Sequence, residues 1–299
     1  MNDNVSIQRV ENTVKVVYNY CLPTEHCFSS GEAREEYKRF WGSFMARLDM
    51  EPEKFNGQRL LDVGCGSCEK TAIYHEWGAK VIGLDITSRV LARAREVIGN
   101  RDIELIEGSL FDFQSEDLFD IVISDGVLHH TADTFLALKA IVYNLKIGGV
   151  AVFGLLNVWG SFWWFPFIRL ITRILGGKNF HKRSMWGKRL FSWVRVSHEG
   201  TAETAGVYRS EDSWAYDWFG NPRWNIHSPK EVLWWLDELG LEHIGSVPSI
   251  IFKQKPKKLL AALVGKLSGN SSRMLKWYWL LNGEPSMFYV SARKIKEIA

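Results

Sequence analysis

Short apolar runs alternate with segments of helical periodicity from about Arg59 onward. This alternation is typical of a parallel sheet whose strands are joined by covering helices. Runs such as Ile121-Val122-Ile123 are apolar throughout, as expected for strands buried on both faces. The pattern predicts five strands, at Arg59–Val63, Lys80–Leu84, Ile103–Ile106, Phe119–Ser124 and Val150–Leu156. It also predicts the intervening helices, at Glu69–Trp77, Ser88–Ile98 and Thr134–Leu145.

The carboxyl-terminal part of the chain extends this pattern. Ser228 is a favoured helix N-cap, Pro229 suits the first helical position, and Glu231 completes a capping box. Gly240 is a typical helix stop, and Leu241–Val247 and Met287–Ala292 read as the sixth and seventh strands. We therefore predict an α/β fold with a seven-strand, mostly parallel sheet and helices on both faces.

Two stretches lie outside the alternation and are interpreted as insertions on one scaffold. The predicted organisation is an N-terminal helical cap at 1–57, a core at 58–156, an insertion or lid at 157–226, and a carboxyl-terminal part of the core at 227–299. The last part contains a second basic insertion at 252–284.

The loop after the first strand carries the strongest functional signal, Asp62-Val63-Gly64-Cys65-Gly66-Ser67. Glycines allow close approach of a ligand to the backbone, and the following helix offers free N–H groups to a carboxylate. Strand-to-helix turns also carry glycine for purely structural reasons. A dinucleotide site needs a third glycine where Glu69 stands. Carboxylates at Glu69 and Asp62 suit an ammonium group, and Asp85, at the end of the second strand, suits ribose hydroxyls.

These residues resemble the class I (Rossmann-like) S-adenosylmethionine-dependent methyltransferases, especially the small-molecule branch. The resemblance covers Gln58 to Leu156 and rests on Asp62-x-Gly64-x-Gly66, Asp85-Ile86, Gly108-Ser109-Leu110, Ser124 to His130, and Leu145-Lys146-x-Gly148-Gly149. It implies S-adenosylmethionine as cofactor, bound by Asp62, Gly64, Cys65, Gly66, Asp85, Ile86, Ser109, Leu110 and Asp125. Family members commonly have an acid where Ser109 stands, holding the adenine amino group; the chain departs from them at this position.

Four side chains are candidates for chemistry at the acceptor. His129 and His130 follow the fourth strand, at the edge where open α/β sheets bind ligands, and imidazole can act as a base near neutral pH. The pair could instead pack beneath the cofactor without a chemical role. Tyr20 and His26 lie in a stretch that resembles the cap of this class, or else in an ordinary surface helix. Asp217 and His227 are reserve candidates for a base.

The four cysteines all lie in the first quarter of the chain, at positions 21, 27, 65 and 68. This is no secreted disulfide framework, and the first twenty residues lack the features of a signal peptide. We expect a reducing, cytoplasmic location. The Cys65-x-x-Cys68 spacing suggests redox chemistry or a zinc site in other contexts, but it matches no zinc family together with Cys21 and Cys27, so no metal is expected.

The insertions bear on the substrate, because they are basic and rich in tryptophan. Ten of the 14 tryptophans lie between Trp159 and Trp235, and Asn157 to Gly200 contains eight Lys or Arg against one acid, Glu199. Residues 162–175 read as a basic amphipathic helix interrupted by Pro166. Such segments can cover a pocket, cage a cation, contact a membrane surface or simply fill the core of a lid.

We therefore predict a methyltransferase acting on a small or lipophilic metabolite, with the O-, N- or S-acceptor open. Nucleic-acid substrates are disfavoured, since Ser124-Asp125-Gly126-Val127 replaces the motif of base-amine methyltransferases and no cysteine follows Cys68. The alternatives are an RNA methyltransferase and a catalytically silent S-adenosylmethionine-binding partner protein.

Overall fold

The computed structural model describes residues 3–20, 27–28, 30–157, 165–193, 207–208, 211–247 and 287–298. The strands are β1 (Cys27–Phe28), β2 (Arg59–Val63), β3 (Lys80–Asp85), β4 (Ile103–Glu107), β5 (Phe119–Asp125), β6 (Leu145–Asn157), β7 (Val207–Tyr208), β8 (Ile226–His227), β9 (Leu241–Val247) and β10 (Met287–Lys294). The α-helices are α1 (Asp3–Tyr20), α2 (Gly31–Ala46), α3 (Glu69–Glu76), α4 (Ser88–Ile98), α5 (Thr134–Tyr143), α6 (Phe165–Gly176), α7 (Phe180–Trp193), α8 (Glu211–Ala215) and α9 (Pro229–Glu238). Two 3₁₀ turns (Pro52–Phe55 and Leu128–His130) and a π-helical turn (Tyr216–Gly220) complete the described elements.

The central sheet has the strand order β4-β3-β2-β5-β6-β10-β9, and β8 adds a short pairing to β6. Strands β2 to β6 are parallel, whereas β10 is antiparallel to both of its neighbours. The mostly parallel sheet predicted from the sequence is confirmed, with all seven strands at or within a few residues of the predicted positions. The two-residue strand β8 was not predicted.

Strand β6 differs most from its prediction, because it begins at Leu145 rather than at Val150. Its pairing with β5 runs from Phe119↔Leu145 to Asp125↔Gly154 and contains a register shift after Phe119. Gly148 lies in the stretch of β6 that this register shift skips, and its φ of +85° favours glycine.

Two apolar layers bury the faces of the sheet. On one face α5 and α9 pack on the strands through residues such as Leu138 and Trp235. On the other face α2, α3 and α4 pack through residues such as Trp41, Tyr74 and Leu91. Helices on both faces leave the carboxyl ends of the parallel strands as the open edge of the sheet.

The described part of the Trp-rich insertion is held together by buried arginines. Arg169 of α6 donates hydrogen bonds to the carbonyls of Trp218 and Asn221, and Arg183 of α7 donates to Gly220 O at 2.6 Å. Pro166 is the second residue of α6, a position where proline is tolerated, and the beginning of the predicted helix, 162–164, lies outside the described residues. The second basic insertion, 252–284, lies outside the described residues.

Within the described ranges, no helix combines the length and the apolarity needed to cross a bilayer.

Candidate active site

A cleft of about 790 Å³, counted with its open mouth, lies at the carboxyl edge of the sheet. Its floor is formed by the ends of β2, β3 and β5 and the loops that follow them, and one face of α1 forms its roof. Six of the predicted cofactor-binding residues line it, namely Gly64, Gly66, Asp85, Ile86, Leu110 and Asp125.

The glycine loop turns sharply because Gly64 and Gly66 adopt φ of +72° and +57°. A Cβ on Gly64 would lie within 3.0 Å of three side-chain atoms of Val127, so the position is closed to larger residues by packing as well as by conformation. The backbone N–H of Gly64 donates to Leu84 O at 2.7 Å, which ties the loop to β3.

Asp85 ends β3 with its carboxylate at the cleft. It accepts hydrogen bonds from Gly66 N at 3.1 Å, from Thr87 N at 2.9 Å and from Thr87 Oγ1 at 2.5 Å. Burial raises the pKa of Asp85, and these hydrogen bonds partly oppose that rise. Asp85 therefore links the glycine loop to the β3 loop and keeps its side chain in one orientation.

Asp62 and Cys65 lie behind the loop rather than on the surface of the cleft. Asp62 is 5% exposed and accepts a 2.6 Å hydrogen bond from Thr71 Oγ1 of α3. Burial raises the pKa of its carboxyl to about 7. Cys65 is half-buried, and its Sγ would lie 3.0 Å from a Cβ added at Gly83 of β3. The structure places both residues as supports of the loop.

Asp125 lines the cleft at the end of β5 and has two half-buried partners. It pairs with the ammonium of Lys70 and accepts a 2.8 Å hydrogen bond from Tyr289 Oη of β10. The Lys70 ammonium also lies 4.0 Å from the centre of the Trp41 ring. Burial opposes the charge on Lys70, but the neighbouring Asp125 raises its pKa overall. Sequence reasoning identified Asp125 and missed Lys70, which is the second residue of α3.

Ser109 follows β4, and its side chain is occupied by a neighbour from the N-terminal helix. Its hydroxyl donates to Glu11 Oε1 at 2.5 Å and accepts from Phe111 N at 3.1 Å. Glu11 and Leu110 line the cleft. No pattern in the sequence connects Glu11 with Ser109, because the two residues are 98 positions apart.

The two histidines after β5 occupy different environments. His130 lines the cleft, whereas His129 is 2% exposed and is absent from the lining. Burial, and next the neighbouring His130, lower the pKa of His129 well below its usual value. Within the part of the chain that the structure describes, its buried Nδ1 has no hydrogen-bond partner. The placement favours His130 over His129 for chemistry at the cleft.

His130 is oriented by the insertion. Its Nδ1 lies 3.0 Å from the carbonyl of Arg223, which can only accept, so Nδ1 carries a proton. Its Nε2 lies 3.5 Å from Asp217 Oδ1, and Tyr18 Oη of α1 donates to the same oxygen at 2.9 Å. Asp217, a reserve candidate in the sequence, is thus brought to the imidazole from 87 positions further along the chain.

The remaining candidates lie away from the cleft. Tyr20 is 50% exposed and packs edge-on against His181 of α7, with ring centres 4.2 Å apart. His227 forms hydrogen bonds with Thr134 and Glu231 and so helps to hold α9 in place. His26 lies outside the described residues, as do Cys21 and the side chain of Cys27. Across the described segments, no three His, Cys, Asp or Glu side chains are grouped to hold a metal ion.

Comparison with known proteins agrees with this arrangement. Residues 61–153 match the model of a family described as a methyltransferase domain. The chain is 33% identical over 109 residues to a ubiquinone biosynthesis O-methyltransferase of Nitrobacter winogradskyi, a match that covers 36% of this chain and 42% of that enzyme. The chain thus spans less than half the length of this curated relative.

Two solved structures share the fold over most of the chain. The magnesium protoporphyrin IX methyltransferase of Synechocystis PCC 6803, with bound S-adenosylhomocysteine, is 11% identical and superposes with a TM-score of 0.51 over 95% of this chain and 99% of that one. PKMT2 of Rickettsia typhi is 15% identical, with a TM-score of 0.56 over 90% of this chain and 54% of that one. Residues 61–153 thus match a methyltransferase domain, and the chain shares the fold of these two solved structures, in agreement with the resemblance to class I, Rossmann-like methyltransferases seen in the sequence.

Proposed function

We propose that the protein is an S-adenosylmethionine-dependent methyltransferase that acts on a small or lipophilic metabolite. One observation carries the proposal: a single cleft joins the glycine loop and Asp85 at one end to His130, with its Asp217 partner, at the other. Cofactor-binding parts and a candidate base thus face the same space, as methyl transfer requires.

The residues of the cleft fit the cofactor by their chemistry. Gly64 and Gly66 would take its methionine part, Asp85 its ribose hydroxyls, and Ile86 and Leu110 the faces of its adenine ring. Asp62 and Cys65 would act from behind by fixing the loop. When bound, S-adenosylmethionine supplies an electrophilic methyl group on a sulfonium.

The chain itself would align the methyl acceptor with the cofactor and provide a base that can take a proton from the acceptor. With Nδ1–H held by the Arg223 carbonyl, Nε2 of His130 lies 3.5 Å from Asp217 Oδ1, a distance at which the carboxylate can interact with a proton carried on Nε2. A proton taken from an acceptor hydroxyl would rest on Nε2, where the Asp217 carboxylate stabilises the imidazolium. A thiolate or carboxylate acceptor would need only alignment.

Calorimetric titration with S-adenosylhomocysteine tests the cofactor assignment. We expect micromolar binding by the native chain, loss of at least tenfold in affinity in Asp85→Ala, and no change in Asp102→Ala, which removes an exposed aspartate outside the cleft. A folded native chain that does not bind would refute the proposal. Binding without turnover of any acceptor in a screen of differing polarity would instead favour a catalytically silent partner protein.

Once an acceptor is found, His130→Gln tests the base. We expect kcat to fall by about 10²- to 10⁴-fold, the usual contribution of a general base, with S-adenosylhomocysteine affinity little changed. An unchanged kcat would remove His130 from the chemistry and point to an acceptor that needs no deprotonation.

We also propose that α6 contacts an anionic membrane surface. Five of its large apolar side chains, between 42% and 72% exposed, follow helical spacing on one face: Phe167, Leu170, Ile171, Ile174 and Leu175. The opposite face is buried through Ile168 and Thr172. No acidic residue occurs from Asn157 to His198, so the segment of sequence that contains this face is basic. An apolar stripe with basic flanks suits a negatively charged lipid interface and the delivery of a lipophilic substrate.

Vesicle co-sedimentation tests this contact. We expect the native chain to bind vesicles that contain phosphatidylglycerol and to bind pure phosphatidylcholine vesicles more weakly. The double variant Leu170→Asp/Ile174→Asp should bind neither kind of vesicle. Ile147→Asp is the control, since Ile147 is equally exposed but lies on the core domain. Absence of vesicle binding, together with salt-dependent binding of RNA, would favour the RNA methyltransferase alternative.

A further inference from the structure

One face of α1 forms the roof of the cleft. Val10, Glu11, Val14 and Tyr18 follow helical spacing and all line it. The helix is fixed to the core on either side of this face. Lys15 pairs with Glu107 of β4 at 2.8 Å, and Arg89 of α4 donates to the carbonyl of Asn19 at 2.9 Å. The position of Glu11 over the cleft is therefore defined by contacts with the sheet and with α4.

Glu11 is the carboxylate that α1 contributes to the cleft, and it lies between apolar residues of the same helix face. Val10 and Val14 of α1 face Ile86 and Leu110 of the core loops, and Gly108 presents only backbone. Such a slot with one acceptor at its rim suits a flat heteroaromatic ring that carries an amino group.

Ser109 directs Glu11 and is not itself free to donate. A serine hydroxyl has one proton, and that of Ser109 is given to Glu11 Oε1, while the oxygen accepts from Phe111 N. Among the described residues, no donor bonds the second carboxylate oxygen of Glu11, which is available to a ligand. Burial raises the pKa of Glu11, against the opposing hydrogen bond from Ser109, so a further donor in the cleft would favour the ionised form.

We propose that Glu11, carried by α1 and held by Ser109, recognises the exocyclic amino group of the cofactor's adenine. The inference rests on the proposed function and deepens it. A carboxylate of the N-terminal helix would thus bind the adenine amino group in place of an acidic residue at position 109 of the core. Glu11 accepts a hydrogen bond from the amino group of adenine. Hypoxanthine has an oxygen at that position, so two acceptors would face each other and no hydrogen bond would form.

The test compares two ligands and uses binding as the readout. S-adenosylhomocysteine and S-inosylhomocysteine are titrated by calorimetry into the native chain, Glu11→Gln and, as a control, Gln8→Ala, which alters an exposed residue of the same helix. We expect the native chain and the control to prefer the adenosyl ligand by at least tenfold. In Glu11→Gln the preference should fall to about threefold or less, because the amide can donate to the hypoxanthine oxygen.

The ratio of the two affinities distinguishes a loss of adenine recognition from damage to the fold, because a damaged fold would weaken the binding of both ligands together. An unchanged ratio in Glu11→Gln, with adenosyl binding intact in the native chain, would overturn the role of Glu11 and leave the proposed function standing. A native chain that binds neither ligand would overturn both.

Discussion

Asp62 is predicted to cost the protein stability at neutral pH. Its carboxyl is 5% exposed, with one hydroxyl donor, and burial raises its pKa to about 7 from an ordinary 3.8. Between these values the folded state binds more protons than the unfolded state, so the free energy of unfolding falls as pH rises. A difference of about 3 pKa units corresponds to ~4 kcal/mol of lost stability at pH 8 and roughly half of that at pH 5.

Asp62→Asn removes the charge and keeps an oxygen that can accept from Thr71. We expect the variant to be more stable than the native chain at pH 8, with an advantage that shrinks by about 2 kcal/mol on going to pH 5. Urea unfolding at pH 5, 6, 7 and 8 measures this slope, and Asp102→Asn, an exposed substitution, should show none. A difference in the free energy of unfolding that does not change with pH would refute the reasoning. Any other effect of the amide changes this difference equally at every pH and leaves its dependence on pH unaltered.

Two further predictions concern the loop and the helix behind it. Gly64→Ala should destabilise the chain by about 2–4 kcal/mol in urea unfolding, because it adds overlap with Val127 to the strain of a positive φ. Gly57→Ala has a similar φ of +75° and open space, so it should cost only about 1–2 kcal/mol; equal losses would contradict the packing argument. Glu76→Gln should cost up to ~3 kcal/mol at pH 7. Although burial opposes it, hydrogen bonds from Lys38, Arg34 and Arg101 lower the pKa of Glu76 to about 2. This stability is present above the unfolded pKa of 4.5 and is lost as pH falls toward 2, so the gap should narrow by about 1 kcal/mol at pH 3.5; a gap that widens in acid would contradict the ion pairs.

The sheet was predictable because its strands are buried on both faces. Ile121-Val122-Ile123 reads as a strand whatever surrounds it, and the capping box at Ser228 defines α9 from local residues alone. The early start of β6 was missed because Lys146 to Gly149 show no strand pattern. Leu145 pairs with Phe119 of β5, and the pairing resumes at Ile121↔Val150 after a register shift that the sequence of β6 alone does not show.

The glycine loop and Asp85 were predictable for the same local reason, whereas the far contacts were not. The sequence treats His129 and His130 alike, and only the 3₁₀ turn at Leu128–His130 gives them different surroundings. Glu11 and Lys70 reach their partners over 98 and 55 positions, and neither belongs to a motif. Such pairs arise from tertiary packing, which periodicity does not encode.

The pairing of β6 with β8 bears on how the domain could acquire new specificities. Leu156 lies beside Ile226 and Asn157 beside His227, so the chain leaves and rejoins the sheet at neighbouring points. Segments whose ends adjoin can be exchanged at low entropic cost without altering the framework around them. The stretch between these residues supplies Asp217 and the Arg223 carbonyl to His130. Transplanting it between related domains would therefore exchange the surroundings of the base while the cofactor floor is inherited unchanged.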